Sequence, residues 1–75
     1  MYALRSPFTI RLLSAGDGRV LGEKVVDSLD EDIVVAPDIA GVEEVVITIE
    51  DATGVKCPVR GEMTMRTGDY MHLPV

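Results

Sequence analysis

The chain has 75 residues, of which 47% are hydrophobic, and it carries a formal net charge of −6. This length allows one domain, residues 1–75, and the acidity argues against nucleic acid or an anionic membrane as a partner, because both require a basic patch. One Cys and one His exclude an internal disulfide and the paired ligand spacing of a zinc site.

The small size makes stability marginal. A domain this short buries only about 60% of the surface that its unfolded chain exposes. Aromatic residues make up 4% of the chain and there is no Trp, so the core lacks large anchoring side chains. With no disulfide or metal expected, the further stability must come from an unusually good core or from burial against another chain.

Period-two alternation dominates the first third of the chain and predicts a hairpin. "FTIRLLS" (8–14) places its apolar residues on one face, and Pro7 fits just before a strand. "AGDGR" (15–19) contains the glycines that turns with positive φ require, and "VLGEKVV" (20–26) is the returning strand.

The middle of the chain allows two interpretations. "IVVAP" (33–37) predicts a short apolar strand closed by Pro37. "SLDE", starting at Ser28, has the form of a helix capping box, but that helix would span under three turns of poor helix formers. The strand is favoured, and a short helix is the alternative.

The second half predicts another hairpin and a last strand. "VEEVVITIE" (42–50) is rich in β-branched residues, "DATG" (51–54) is a turn, and "VKCPVRGEMTMR" (55–66) returns. "YMHLPV" (70–75) ends the chain. The predicted fold is all-β: a small sandwich or partly open barrel of five to seven short antiparallel strands joined by hairpins.

A faint internal similarity links the two hairpins. A slide of 39 residues places Thr9-Ile10 on Thr48-Ile49, and Val20, Gly22 and Glu23 on residues 59, 61 and 62. Two related hairpin units are one explanation, and coincidence is the other. The succession of strand, "D-x-x-G" turn and "P-V-x-G" also resembles immunoglobulin-like modules, and this resemblance implies a domain that binds a protein or small ligand.

Cys57 is the only thiol in the chain. A nucleophilic Cys needs a nearby base or positive charge to hold the thiolate. Lys56 is expected on the opposite face of the strand, and His72 lies fifteen residues away. We therefore interpret Cys57 as a small packed residue, with a reactive thiol or an intermolecular disulfide as the alternative.

Other polar groups suggest chemistry only weakly. A calcium loop would need a glycine that the acidic cluster lacks, so a solvated loop is favoured for Asp27, Asp30, Glu31 and Asp32. Tyr70 and His72 share a predicted strand face, but Asp69 falls on the other. No catalytic residue, metal site or cofactor is predicted.

The apolar segment "VVITI" (45–49) has charged residues at its ends but little polarity on its second face. A strand that is apolar on both faces belongs between two layers, and so short a chain covers both with difficulty. Methionines fill cores and also line adaptable binding surfaces, so the methionines of the last third of the chain suit either role. The candidate interface residues are Val46, Thr48, Met63, Met65, Met71 and Leu73.

These features favour a non-enzymatic structural subunit that docks through β surfaces onto a larger assembly, such as a viral capsid or tail component. The alternative is an immunoglobulin-like binding or accessory domain, and a subunit that completes an enzyme's active site is a third hypothesis. The expected partner is another protein or further copies of the chain. No signal peptide or membrane-spanning segment is recognisable, so we expect the chain inside a cell or assembled into a particle.

Overall fold

A computed structural model describes residues 4–29, 32–56 and 62–73, and these residues form an all-β structure without helix. The prediction of an all-β fold is confirmed. The six strands are β1 (Phe8–Ser14), β2 (Val20–Val26), β3 (Ile33–Val35), β4 (Val42–Glu50), β5 (Glu62–Arg66) and β6 (Met71–Leu73). The bounds of β1, β2 and β4 coincide with those predicted from alternation and turn residues.

The strands form two antiparallel sheets. One has four strands in the order β2-β1-β4-β5, and the other pairs β3 with β6. The hairpins β1-β2 and β4-β5 lie side by side, joined by pairing of β1 with β4, in which Ile10 lies opposite Ile49. In the β1-β2 hairpin, Gly18 has a φ of 74°, as the turn chemistry of 15–19 predicts.

The core lies between the two sheets. We call the side of the four-stranded sheet that faces the β3-β6 pair the inner face. It supplies Ile10, Leu12 and Val45, the largest side chains that are fully buried, while β3 supplies Ile33 and Val35. The complete cluster of buried hydrophobic residues is Ile10, Leu12, Leu21, Ile33, Val35, Val45, Ile47, Ile49, Met65 and Met71.

A glycine allows the second layer to approach β2 closely. A Cβ atom at Gly22 would lie 2.8 Å from the Ala36 carbonyl oxygen, so only glycine fits without movement of the backbone. The β1-β2 register shifts between Leu12 and Leu13 at a β-bulge, which strengthens the local twist. Just after Ala36, the Asp38 N–H donates to the Leu21 carbonyl oxygen at 2.8 Å.

The favoured strand at 33–37 is confirmed over Ile33–Val35, and its alternative is not. The helix alternative at Ser28 is wrong, because Ile33–Val35 is extended and pairs with β6. The prediction that hairpins join the strands holds for β1-β2 and β4-β5 but not for β3 and β6, which pair although they are far apart in sequence. The predicted strand 55–66 is described only from 62 onward, apart from a bridge between Lys56 and Glu50.

The two hairpins are neighbours but do not match residue for residue. The 39-residue slide places Leu12, which lies within β1, on Asp51, which follows the end of β4. At these matched positions, the first strand of the first hairpin continues, whereas the first strand of the second hairpin has already ended. The residues that match in sequence therefore do not occupy equivalent positions in the two hairpins.

Candidate outer-face docking surface

The side of the four-stranded sheet that points away from the β3-β6 pair, which we call the outer face, is covered by none of the six strands. Alternation along each strand and the pairing between strands define its members. They are Thr9, Arg11, Leu13, Val20, Glu23, Val25, Val42, Glu44, Val46, Thr48, Glu50, Glu62, Thr64 and Arg66.

An apolar row crosses the centre of the outer face. Leu13 lies opposite Val20 on one side and Val46 on the other, and Val46 lies opposite Glu62. Leu13 and Val46 are half-buried, whereas Val20 is 53% exposed. Neither Leu13 nor Val46 packs against the core, since both point to the opposite side of the sheet.

Two further valines lie on the outer face, separated from the apolar row by the Arg11–Glu23 and Glu44–Thr64 pairs. Val25 is 59% exposed and Val42 is 60% exposed. Of the six large hydrophobic side chains that are exposed within the described ranges, the outer face therefore holds half. Single exposed aliphatic residues need no explanation, but several on one sheet face form a surface suited to contact with another molecule.

A group of charges lies beside the apolar row. The Arg11 Nε donates to the Glu23 carboxylate at 2.7 Å, and an Arg11 terminal nitrogen lies 3.6 Å from the Glu50 carboxylate. The hydrogen bond to Glu23 raises the pKa of the Arg11 guanidinium. Thr48 lies opposite Arg11 in the register. Arg11 is thus shared between two carboxylates, those of Glu23 and Glu50.

Acidic residues also border the row on its β5 side. Glu62 ends the row opposite Val46, and Glu44 accepts a hydrogen bond from the Thr64 hydroxyl. In the part of the chain that the structure describes, neither Glu44 nor Glu62 pairs with a cation. This side of the outer face is therefore negatively charged.

The predicted interface residues separate into two groups. Val46 and Thr48 are half-buried on the outer face, and their role in an interface stays a prediction. For Met65 and Met71 the core interpretation applies, because these side chains are 3% and 4% exposed and belong to the core cluster. Met63 is half-buried and packs against the same core from the inner face.

Leu73 is placed by its backbone, which pairs with Ile33 at the end of the β3-β6 pair. This position lies in the covering layer, away from the outer face. Of the six candidate residues, only Val46 and Thr48 share the outer face, and they lie there with Leu13 and Val20, which sequence reasoning did not select.

Asp51 is the polar site that sequence reasoning missed. This residue is 6% exposed, and its carboxylate accepts hydrogen bonds from the Thr53 N–H and hydroxyl and from the Val55 N–H at 2.7–2.9 Å. The Arg5 N–H donates to its other oxygen at 3.1 Å. Burial raises the pKa of Asp51, but these hydrogen bonds outweigh it and hold the pKa at about 2.

The Asp51 carboxylate has a structural role, and both of its oxygens accept hydrogen bonds within the chain. It closes the 51–54 turn and fastens the segment before β1 to that turn, where the Ala52 N–H also donates to the Arg5 carbonyl oxygen at 2.7 Å. The Asp at the start of "DATG" was the available signal, since Asp side chains commonly bond to backbone N–H groups two residues on.

The remaining chemical candidates are not brought together. His72 is exposed, and its nearest carboxylate is Asp32, with 3.5 Å between Nε2 and Oδ1. Asp69 instead accepts a hydrogen bond from the Arg66 N–H at 3.0 Å, apart from Tyr70 and His72, with which the sequence had not grouped it. Cys57 and two members of the acidic cluster, Asp30 and Glu31, lie outside the described residues.

Asp69 also caps the backbone of Arg66 at the edge of the four-stranded sheet. The Asp69 N–H donates to the Arg66 carbonyl oxygen at 2.9 Å, while the Asp69 side chain accepts from the Arg66 N–H. Both backbone groups of Arg66 are thereby occupied at one end of the edge strand β5. Such capping discourages the addition of a further strand.

Comparison with known proteins gives no relative from which to transfer a function. No protein-family model, no curated protein and no solved structure matches the chain. Among the described residues, there is no helix of the length and hydropathy needed to cross a membrane. The use of the outer face is therefore inferred from its own composition and geometry.

Proposed function

We propose that the protein is a non-enzymatic structural subunit that docks through its outer face onto a larger protein assembly, such as a viral capsid or tail. One observation carries the proposal: five aliphatic side chains lie on a sheet face that none of the strands covers. They are Leu13, Val20, Val25, Val42 and Val46.

The number of strands explains why none of those described covers this face. β4 points Val45 and Ile47 inward, and on its outer side Val46 lies between Glu44 and Thr48. The short β3-β6 pair supplies a second layer for the inner face only. The aliphatic side chains of the outer face, Val46 among them, have no covering strand, so a partner protein is a natural cover for them.

One end of the β5 edge is closed to strand addition. Strand addition needs free backbone N–H and C=O groups along an edge strand. At β5, Asp69 already occupies both groups of Arg66. On the outer face, by contrast, the side chains of the apolar row are open to contact.

The test compares two valines on opposite layers. Val46→Asp places a charge at the centre of the outer face, and Val34→Asp places the same charge on β3, where Val34 is 46% exposed. Both variants are expressed in cells that contain the natural assembly, and their distribution is measured by native size fractionation. Circular dichroism and thermal melting first establish that each variant is folded.

We expect the parent chain and Val34→Asp in the high-mass fraction and Val46→Asp at monomer mass. Equal recruitment of Val46→Asp and the parent would contradict docking by the outer face. If the folded parent chain is found only at monomer mass, the immunoglobulin-like binding domain is favoured instead.

A further inference from the structure

We infer that the partner of the outer face is a different protein whose docking surface has an aliphatic centre bordered by Lys and Arg side chains. This inference rests on the proposed docking function and specifies its partner. It follows from the charges around the apolar row and from the free-energy cost of desolvating them when a partner docks.

The outer face carries four carboxylates and two guanidinium groups. Arg11 is held between Glu23 and Glu50, so its charge is already offset within the chain. Glu44 and Glu62 border Val46 without a cation among the described residues, and Arg66 lies at the far end of β5, opposite Val42. The border of the apolar row is therefore acidic where it is closest to Val46.

Docking removes water from these carboxylates. A carboxylate that loses water without gaining a cation is strongly unfavourable, whereas one that meets a Lys or Arg at the rim of an interface recovers part of that loss. Complementary charge also accelerates encounter and excludes partners of the wrong sign. The net charge of −6 adds a longer-range attraction for a basic surface.

A second copy of the chain fits the outer face poorly for the same reason. Two outer faces in contact would bring together two acidic borders, with Arg66 as the one outer-face cation per copy that is not already shared by two carboxylates of the described chain. Like charges placed opposite each other in an interface are unfavourable and select against that pairing.

The geometry sets the size of the complementary centre. Val20, Leu13 and Val46 lie on three adjacent strands, which are spaced about 4.8 Å apart in a sheet. The row is therefore about 10 Å long and matches two or three aliphatic side chains. A small β-hairpin can present such a group with charges at its border.

The probe is a cyclic β-hairpin peptide that presents three Leu side chains flanked by four Lys, and its matched control carries Glu in place of each Lys. Binding to the isotopically labelled 75-residue protein is followed by methyl and amide NMR shifts. We expect the Lys peptide to shift Leu13 and Val46, and to bind at least tenfold more tightly than the Glu peptide. Raising NaCl from about 50 to 500 mM should weaken it about tenfold.

Charge reversal on the protein provides the second arm. The double variant Glu44→Lys, Glu62→Lys should reverse the preference between the two peptides. The single variant Asp38→Lys changes an exposed acidic residue away from the outer face and should preserve the preference. Both variants are checked for an unchanged fold by their amide spectra.

Three results would overturn the inference: equal binding of the two peptides, shifts located away from Leu13 and Val46, or self-association of the parent chain that protects these two residues. Failure of the inference is distinguishable from failure of the docking function. If Val46→Asp abolishes assembly but the double charge reversal does not weaken it, docking stands and the basic partner is wrong. If Val46→Asp assembles normally, the docking function itself fails.

Discussion

The two faces of the four-stranded sheet are built from the same strands but differ in what covers them. On the inner face, Ile10, Leu12 and Val45 are fully buried beneath the β3-β6 pair. On the outer face, Leu13 and Val46 alternate with them along the same strands and are only half-buried. The more apolar face is therefore the one that forms the core, and the layer supplied by distant segments covers that face only.

The largest difference between the faces should appear when one large side chain is removed from each. Ile10→Ala leaves a cavity beneath the second layer and should lower the free energy of unfolding by about 2–5 kcal/mol. Leu13→Ala on the outer face of the same strand should cost less than about 1.5 kcal/mol, since solvent fills the space. Urea unfolding followed by circular dichroism measures both, and equal losses would contradict the assignment of the faces.

The close approach of the second layer is tested at Gly22. A Cβ atom there would meet the Ala36 backbone, so Gly22→Ala should lower the free energy of unfolding by about 1–3 kcal/mol. Gly16→Ala is the matched control, because its added Cβ would meet nothing closer than 3.9 Å. If both variants melt at the same temperature as the parent, β3 does not lie against β2 as described.

Asp51 should make stability depend on pH. Its folded-state pKa of about 2 lies below the ordinary value of 3.8, so its contribution is fully present above about pH 4 and is lost as pH falls towards 2. Asp51→Asn removes one acceptor oxygen and should lower the melting temperature by several degrees at pH 7. The difference between parent and variant should shrink below about pH 4, and a constant difference would exclude this linkage.

The smallest effect is expected on the outer face itself. Arg11→Gln breaks the contacts with Glu23 and Glu50, which lie among partly exposed side chains where ion pairs contribute little to stability. The melting temperature of the free chain should change within experimental error, in low and in high salt alike. A clear loss would show that these charges stabilise the fold and are not mainly part of the outer surface.

The parts of the fold that depend on neighbouring residues could be predicted from sequence. Alternation and turn glycines indicated the bounds of β1, β2 and β4, because a hairpin brings together residues close in the chain. The β3-β6 pairing could not be predicted, since no local signal links segments so far apart. The burial of Met65 and Met71 follows from those long-range contacts, which is why core and interface roles could not be separated.

The candidate surface shows the same division. Val46 and Thr48 stand out because "VVITI" has little polarity on its second side. Leu13 and Val20 join them only through the register between strands, including the bulge after Leu12. The Asp51 hydrogen bond to Arg5 spans 46 residues and has no counterpart in a sequence pattern.

The most direct test of outer-face docking is carbene footprinting of the unmodified chain, free and within its assembly. Labelling is measured residue by residue by mass spectrometry at the outer face and at the opposite layer. We predict that Leu13, Val20 and Val46 are labelled in the free chain and protected in the assembly, while Val34 and Tyr70 are labelled equally in both. Unchanged labelling at Leu13 and Val46, with protection of Val34 and Tyr70, would contradict docking by this face.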